Sequence, residues 1–152
     1  RPFNAFGPRQ KDTGYGGVIS IFTRRVMNGI PPIIYGDGNQ TRDYTYVSDL
    51  VEALDLILKF PEPIPAPINV GTGHEVKIID LANMIINRAG QRGKIKPVFV
   101  EPRPGEVNRL LCDNSKAKQL LGWTPGYSLE EGLTRLLDWY TSYKSEEWAK
   151  RG

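Results

Sequence analysis

The sequence predicts an α/β fold in which short strands alternate with amphipathic helices. Apolar residues recur at helical spacing in several segments, and short β-branched or aromatic runs lie between those segments. The 152 residues include 16 glycines and 12 prolines, an enrichment that predicts many shaped loops between the elements. No linker divides the chain, so we expect one structural unit over residues 1–152.

The first third of the chain is predicted to hold a loop, a helix and two strands. Residues 8–17 are rich in glycine and charge and predict the loop, and the helix follows over 17–28, where it ends at an Asn-Gly pair. A strand is predicted over 33–35, followed by a turn over 36–39 that reads GDGN. The alternation in residues 44–47, YTYV, predicts the second strand.

The remaining elements follow from the same two periodicities. Residues 48–59 form the most apolar helical pattern, and four prolines then hold the chain extended into a short strand over 68–70. The other predicted elements are a helix over 77–89, strands over 98–100 and 110–111 around the loop 102–108, a helix over 115–121, and a last helix opened by the capping box 128–131.

Composition and charge limit the partners of the chain. The formal charge of +3 is too small and too scattered to predict a nucleic-acid surface. No apolar run approaches the ~18 residues of a membrane span. The single cysteine, Cys112, excludes an internal disulfide and a multi-cysteine metal site, and it favours the reducing cytoplasm.

The residues offer no catalytic group and no metal site. His74 stands alone in a glycine-rich turn, where an ordinary loop residue is expected. Residues 71–73, GTG, follow a strand, but Val76 occupies the position where a dinucleotide fingerprint needs its third glycine. Tyr140 and Lys144 have Tyr-x-x-x-Lys spacing in a charged terminal helix, and chance explains that match.

Anion recognition is the chemistry that the residues do indicate. Arg42 follows a tight turn and precedes a strand, and Arg103 stands between two prolines in a stiff loop. The planar guanidinium fork suits phosphate oxygens, while Glu106 can accept the hydroxyls of a ribose diol and Asn4 offers an amide donor.

The alternative for both arginines is a surface ion pair of under ~1 kcal/mol. Arg42 would then pair with Asp43 or Asp49, and Arg103 with a glutamate of its own loop, Glu101 or Glu106. From the residues alone both interpretations stay open.

Six segments also carry motifs in a defined order. They read RPFNAFGPRQ at 1–10, YGDGNQTRDY at 35–44, NVGTG at 69–73, PRPGE at 102–106, DNSKAKQLLGW at 113–123 and SLEEGL at 128–133. Together they resemble the extended short-chain dehydrogenase/reductases that act on nucleotide sugars. The resemblance covers the whole chain but only the C-terminal half of the family's proteins.

The resemblance implies the C-terminal substrate-binding part of that fold: a small mixed sheet plus helices, with the orphaned last strands and helix of a Rossmann domain. It implies NAD as cofactor, bound mainly by an N-terminal Rossmann half that these residues lack together with its glycine-rich loop and catalytic Tyr-x-x-x-Lys. The chain opens without an initiator methionine in what reads as a strand end, so we expect it to be the tail of a longer protein.

The resemblance also implies roles for nine residues. The substrate contacts are the diphosphate-binding Asn4, Arg42 and Arg103, the ribose-binding Glu106, and Val18, Ile19 and Tyr35 beside the base. The expected cofactor contacts are Pro2 and Phe3, near the nicotinamide.

The implied activity of the parent protein is that of an NAD-dependent UDP-sugar 4-epimerase. In that family a tyrosinate removes the 4-hydroxyl proton, NAD⁺ accepts the C4 hydride, and the 4-keto sugar rotates before the hydride returns. Ala5 and Arg9 favour this activity over a dTDP-glucose 4,6-dehydratase, although related dehydratases and decarboxylases stay open. A non-catalytic nucleotide-sugar-binding module is the alternative from another class.

Three further expectations rest on the family. The chain alone is predicted to be inactive and to bind no NAD, and the full-length protein is expected to be a cytoplasmic homodimer. The segments 1–4, 48–59 and 67–70 pack on the Rossmann sheet in the family, so their apolar faces are predicted to lack a partner here.

Overall fold

The computed structural model describes residues 1–11, 16–64 and 66–151, with side chains as far as residue 143. Parts of the predicted loop 8–17 and of the proline segment therefore lie outside the described residues. In chain order the elements are β1 (Ala5–Phe6), α1 (Val18–Met27), β2 (Ile33–Tyr35), β3 (Thr41–Asp43), β4 (Thr45–Tyr46), α2 (Val47–Lys59), β5 (Glu75–Lys77), α3 (Ile78–Arg88), β6 (Val98–Val100), β7 (Arg109–Leu110), α4 (Ser115–Leu121) and α5 (Leu129–Arg151).

The helices begin and end at the predicted signals. Gly29, just past α1, has a φ of +73°, and Gly122 ends α4 in the left-handed conformation, which glycine adopts without steric cost. The capping box forms before α5: the Ser128 N–H donates to Glu131 Oε2 at 2.9 Å, and the Glu131 N–H donates to Ser128 Oγ at 3.2 Å.

The strands form three small sheets rather than one. The predicted fold class, small mixed sheets with helices, is confirmed, but the strands are divided among these three sheets. β1 pairs with β4 and β2 with β6, both in parallel, while β3 lies between antiparallel β5 and parallel β7. The predicted strand over 44–47 is wrong in its bounds, because only Thr45–Tyr46 forms β4 and α2 already begins at Val47. β5 was not predicted because only Val76 of its three residues is apolar, so its strand character depends on pairing with β3.

The predicted strand over 68–70 forms only one isolated bridge, between Val70 and Pro2. The bridge consists of the Phe3 N–H donating to the Val70 carbonyl at 2.9 Å and the Val70 N–H donating to the Arg1 carbonyl at 3.0 Å. Val70 is buried, so the expectation that the apolar face of this segment lacks a partner is wrong for it.

Two hydrophobic clusters hold the fold together. The larger one packs α1, α3 and α5 around β2, β4 and Phe6, and the smaller one surrounds Trp123 under α2 and α4. Asp49 lies fully buried beside the smaller cluster, where its carboxylate accepts the N–H groups of Gly126 at 2.9 Å and Tyr127 at 3.3 Å. Burial raises the pKa of Asp49, and these two hydrogen bonds partly oppose that shift.

Helix α2 presents the apolar face that was predicted to lack a partner. Val51, Leu54 and Leu58 are 59%, 51% and 84% exposed, whereas Ala53 on the opposite face is fully buried. Within the described part of the chain, no helix has both the length and the apolar content needed to cross a membrane.

Candidate functional site

A cavity of about 330 Å³ lies between the start of α1, β2, β3 and the loop between β6 and β7. All seven residues predicted to contact substrate line it: Asn4, Val18, Ile19, Tyr35, Arg42, Arg103 and Glu106. These residues come from four separated segments of the sequence, and the fold brings them to one cavity.

Arg42 projects from the middle strand of the three-stranded sheet and fixes the loop beside it. Its Nη2 donates to Glu106 Oε1 at 2.6 Å, and its Nη1 donates to the carbonyls of Val107 at 2.6 Å and Thr41 at 2.8 Å. The Arg42 and Glu106 side chains keep 15% and 30% exposure. Arg42 therefore forms an ion pair, as the alternative interpretation held, but with another predicted site residue rather than with Asp43 or Asp49.

Arg103 lies against an aromatic ring rather than against a carboxylate. Its guanidinium carbon is 3.8 Å from the centroid of the Tyr35 ring, a cation–π contact. Tyr35 is the last residue of β2 and pairs with Val100, the last residue of β6. This pairing places the loop after β6, which carries Arg103, beside the cavity. Among the described contacts Arg103 has no ion pair with Glu101 or Glu106, so its charge is not neutralised by a neighbouring carboxylate.

Asp43, the residue after Arg42, holds β3 in place from the other side. Its carboxylate is fully buried and accepts four hydrogen bonds: from the Thr72 N–H at 2.9 Å, Thr72 Oγ1 at 2.6 Å, the Gly73 N–H at 2.8 Å and the Cys112 N–H at 3.2 Å. We call these four residues the Asp43 clamp. The N–H groups of the Thr72-Gly73 turn are thus used internally, in agreement with the sequence argument against a dinucleotide fingerprint there.

Asn4 reaches the cavity through an unusual backbone conformation. Its φ is +30°, a region that asparagine tolerates better than most residues, and its Nδ2 donates to the Asp43 carbonyl at 2.6 Å. The amide predicted to face a ligand is therefore partly engaged, and it ties the β1 segment to β3.

Val18 and Ile19 form the first turn of α1 at the cavity wall. Gly17 is the N-cap and supplies no side-chain hydrogen bond. Helix geometry leaves the first-turn N–H groups without intrahelical acceptors, so this turn presents backbone donors beside an apolar surface. Such a surface suits a flat heterocycle with carbonyl groups.

Pro2 and Phe3, the two predicted cofactor contacts, are not brought to the cavity. They lie along the bridge to Val70, with Pro2 exposed and Phe3 half-buried. Their proximity to a nicotinamide stays a prediction.

Sequence reasoning missed several cavity residues, of which Tyr44 and Gln40 are the most informative. Gln40 Nε2 donates to the Tyr35 carbonyl at 2.8 Å and so supports the aromatic wall. Tyr44 is buried at 5% exposure, and its hydroxyl has no hydrogen-bond partner within the described residues. The alternation of strand side chains from Arg42 to Tyr44 was the signal available in the sequence.

The sequence matches a known family and several of its members. Residues 1–136 match the family model described as GDP-mannose 4,6 dehydratase. A relative from Methanocaldococcus jannaschii, named for UDP-glucose 4-epimerase activity, is 41% identical over 136 residues, which are 90% of this chain and 43% of that protein. UDP-glucuronic acid decarboxylase 1 from Xenopus tropicalis is 36% identical over 140 residues, 92% of this chain and 32% of that protein.

Solved structures agree with this relationship. The UDP-glucose 4-epimerase of Thermotoga maritima, solved with UDP-glucose, has a TM-score of 0.88 at 37% identity and covers 95% of this chain and 45% of its own. The Thermus thermophilus UDP-glucose 4-epimerase, solved with NAD, has a TM-score of 0.80 at 33% identity, covering 93% and 45%. The chain thus spans less than half the length of the relatives it matches. It belongs to the extended short-chain dehydrogenase/reductase family of nucleotide-sugar epimerases and dehydratases, and it corresponds to the C-terminal part of that fold.

Proposed function

We propose that this chain is the nucleotide-sugar-binding part of an NAD-dependent UDP-sugar 4-epimerase. The observation that carries the proposal is the charge of the cavity: its charged lining residues are Arg42, Arg103 and Glu106, which leave one positive charge in excess. A diphosphate next to a ribose diol needs this combination of guanidinium donors and a carboxylate acceptor.

Each residue then has a defined binding role. Arg42 and Arg103 hold the diphosphate, and Glu106 accepts the ribose hydroxyls. The base lies between Tyr35 and the first turn of α1, where stacking and backbone donors recognise it. Binding energy at these points is remote from the sugar C4, so it positions the hexose while leaving it free to turn.

Two observations support a proposal that most of the NAD site lies outside this chain. The cavity lining does not include Pro2 or Phe3, and the sequence has no Gly-x-x-Gly-x-x-Gly loop for a pyrophosphate. We therefore propose that NAD, which supplies hydride transfer at C4, is held mainly by residues outside this chain. With NAD held elsewhere, the chain alone is expected to bind no NAD and to be inactive. From the usual state in the family, we also propose that the complete protein is a cytoplasmic homodimer.

Two alternatives stay separable by experiment. A dehydratase or decarboxylase would use the same diphosphate contacts, and the Xenopus tropicalis decarboxylase shows that such enzymes lie at similar identity. A non-catalytic module would bind the nucleotide sugar without turnover. Incubating the complete gene product with NAD and UDP-glucose or UDP-glucuronic acid, followed by NMR of the products, distinguishes a C4 epimer from a 4-keto-6-deoxy sugar, from a pentose, and from unchanged substrate.

The binding role is tested by calorimetric titration of the complete gene product with UDP. Arg42→Ala and Arg103→Ala are each expected to weaken binding by ~1.5–3 kcal/mol, the range for charged hydrogen bonds. Arg109→Ala is the matched control, because Arg109 also pairs with a glutamate, at 2.9 Å from Glu75, but does not line the cavity. Unchanged UDP affinity in both cavity variants would contradict the proposal.

A further inference from the structure

The Tyr44 hydroxyl is a polar group that the proposed binding scheme leaves unused. The described residues include four buried side-chain oxygens without a hydrogen-bond partner, and two of these, on Tyr44 and Gln10, belong to residues that line the cavity. Tyr44 keeps only 5% exposure. A buried hydroxyl without a partner costs roughly 1–3 kcal/mol, so phenylalanine would suit a purely packing role better.

Tyr44 lines the cavity and lies on the same side of the chain as Arg42. Asp43 points into its clamp on the opposite side of the strand, so Tyr44 continues the side that Arg42 occupies. The ring packs against Phe6 with centroids 6.5 Å apart and an interplanar angle of 87°. Phe6 in turn packs against Tyr46 at 5.6 Å, which fixes this edge-to-face arrangement.

The Tyr44 hydroxyl is available as a hydrogen-bond donor. Burial raises the pKa of Tyr44 far above its usual value, with Arg42 opposing and Glu106 adding to the shift. The phenol therefore stays protonated, and both charged residues that act on it belong to the cavity.

We infer that the Tyr44 hydroxyl is a further ligand contact, which donates a hydrogen bond to a phosphate oxygen of the bound nucleoside diphosphate beside Arg42. This inference rests on the proposed function. An uncharged donor next to the arginine adds direction without adding charge, and its ring is held by packing before the ligand arrives, so little entropy is lost on binding.

The test compares Tyr44→Phe with Thr45→Val in the complete gene product. Thr45 is the matched control, because its hydroxyl is also buried without a partner among the described residues, one position further on, but it does not line the cavity. By calorimetry Tyr44→Phe is expected to weaken UDP binding about tenfold and to leave uridine binding within about twofold, since a hydrogen bond to an anion is lost. Thr45→Val is expected to leave both affinities unchanged.

Urea unfolding provides the second measurement. Tyr44→Phe is expected to be at least as stable as the wild type, because no protein hydrogen bond is lost. A marked loss of stability would show that the hydroxyl has a protein partner and would overturn the inference. So would wild-type UDP affinity in the variant, or an equal loss for uridine. If the unmodified protein fails to bind UDP at all, the proposed function fails, and the inference fails with it.

Discussion

Arg42 and Asp43 are neighbours on β3, yet their side chains enter opposite kinds of environment. The Asp43 carboxylate is fully buried and accepts four hydrogen bonds, three of them from backbone N–H groups. Arg42 lies at an open cavity, and its partners include a carboxylate that keeps 30% exposure. One side of the strand thus belongs to the buried framework, while the other side lines the cavity.

The same difference extends to the surrounding residues. The Asp43 clamp joins three distant segments through four hydrogen bonds to a fully buried carboxylate. The arginine cluster, which we define as Arg42, Arg103, Glu106 and Tyr35, joins β2 and β3 to the loop after β6 through a partly exposed ion pair and a cation–π contact. We therefore expect substitutions in the clamp to change the free energy of unfolding, and substitutions in the cluster to change ligand affinity with little effect on stability.

The largest effect is expected from Asp43→Asn. One carboxylate oxygen becomes an NH₂ group that faces backbone N–H donors, so two hydrogen bonds are replaced by repulsion in a buried site. We expect the free energy of unfolding to fall by about 3 kcal/mol or more, measured by urea denaturation. Asp55→Asn is the control, because Asp55 pairs with Lys59 at 2.6 Å on the surface and its loss should cost under ~0.5 kcal/mol. Equal effects of the two variants would break the comparison.

Cys112 tests how closed the clamp is. Burial raises the pKa of its thiol to about 11, with the charge of Asp43 adding to the shift. At about pH 8 alkylation by iodoacetamide should be roughly a hundredfold slower in the folded protein than in urea, because about two pKa units separate the thiolate fractions.

The sign of the pH dependence follows from the same shift. The unfolded thiol ionises from its ordinary pKa of 9.0, so stability is expected to fall as the pH rises from there to about 11. Alkylation of glutathione with and without urea is the control, because it measures how urea itself changes the rate of the reaction with a free thiol. A native rate close to the unfolded rate would show that the clamp opens readily.

Gly71→Ala is expected to have the next largest effect. A Cβ at this position would overlap Cys112 Cβ and lie 2.7 Å from Cys112 Sγ and 3.1 Å from Phe3 Cβ. Overpacking of this kind costs typically 1–3 kcal/mol in urea denaturation. Gly126→Ala is the matched control, since the nearest atom to its added Cβ is Asp49 Oδ1 at an ordinary 3.4 Å. If both variants had the same free energy of unfolding, the packing around Cys112 would adjust to the added methyl group, and the clamp would not be rigid.

The smallest effect on stability is expected from Glu106→Gln, on the cluster side. The ion pair with Arg42 is partly exposed, so the free energy of unfolding should change by less than ~1 kcal/mol. Glu75→Gln provides the comparison, because Glu75 pairs with Arg109 on the same sheet but outside the cavity. A loss for Glu106→Gln as large as that for Asp43→Asn would place the arginine cluster among the fixed parts of the fold.

Local chemistry made the helices predictable. Asn28-Gly29, Gly122 and the box from Ser128 to Glu131 end or begin helices through contacts within a few residues, so the sequence contains all that they need. The strands were harder, because β5 and the bridge at Val70 depend on partners distant along the chain. The polar and apolar pattern of the residues in these segments does not indicate which distant segment they pair with.

The candidate site divides in the same way. Motif resemblance selected seven residues, and all seven line one cavity. It did not reveal that Arg42 pairs with Glu106, that Arg103 covers Tyr35, or that Tyr44 lines the same cavity. Those contacts depend on how the loop after β6 crosses β3, a geometry that no single segment encodes.

Periodicity, capping and motif order act over short distances, so the α/β class, the helix ends, the family and the residue types suited to an anionic ligand could be predicted from the amino-acid sequence. The folded structure was needed to show which charges meet, which side of β3 is buried and which lines the cavity, and which buried hydroxyls lack a partner among the described residues. The physical reason is that hydrogen bonds, ion pairs and burial depend on three-dimensional proximity. Here that proximity joins Asp43 to Cys112 and Arg42 to Glu106, pairs that lie more than sixty residues apart along the chain.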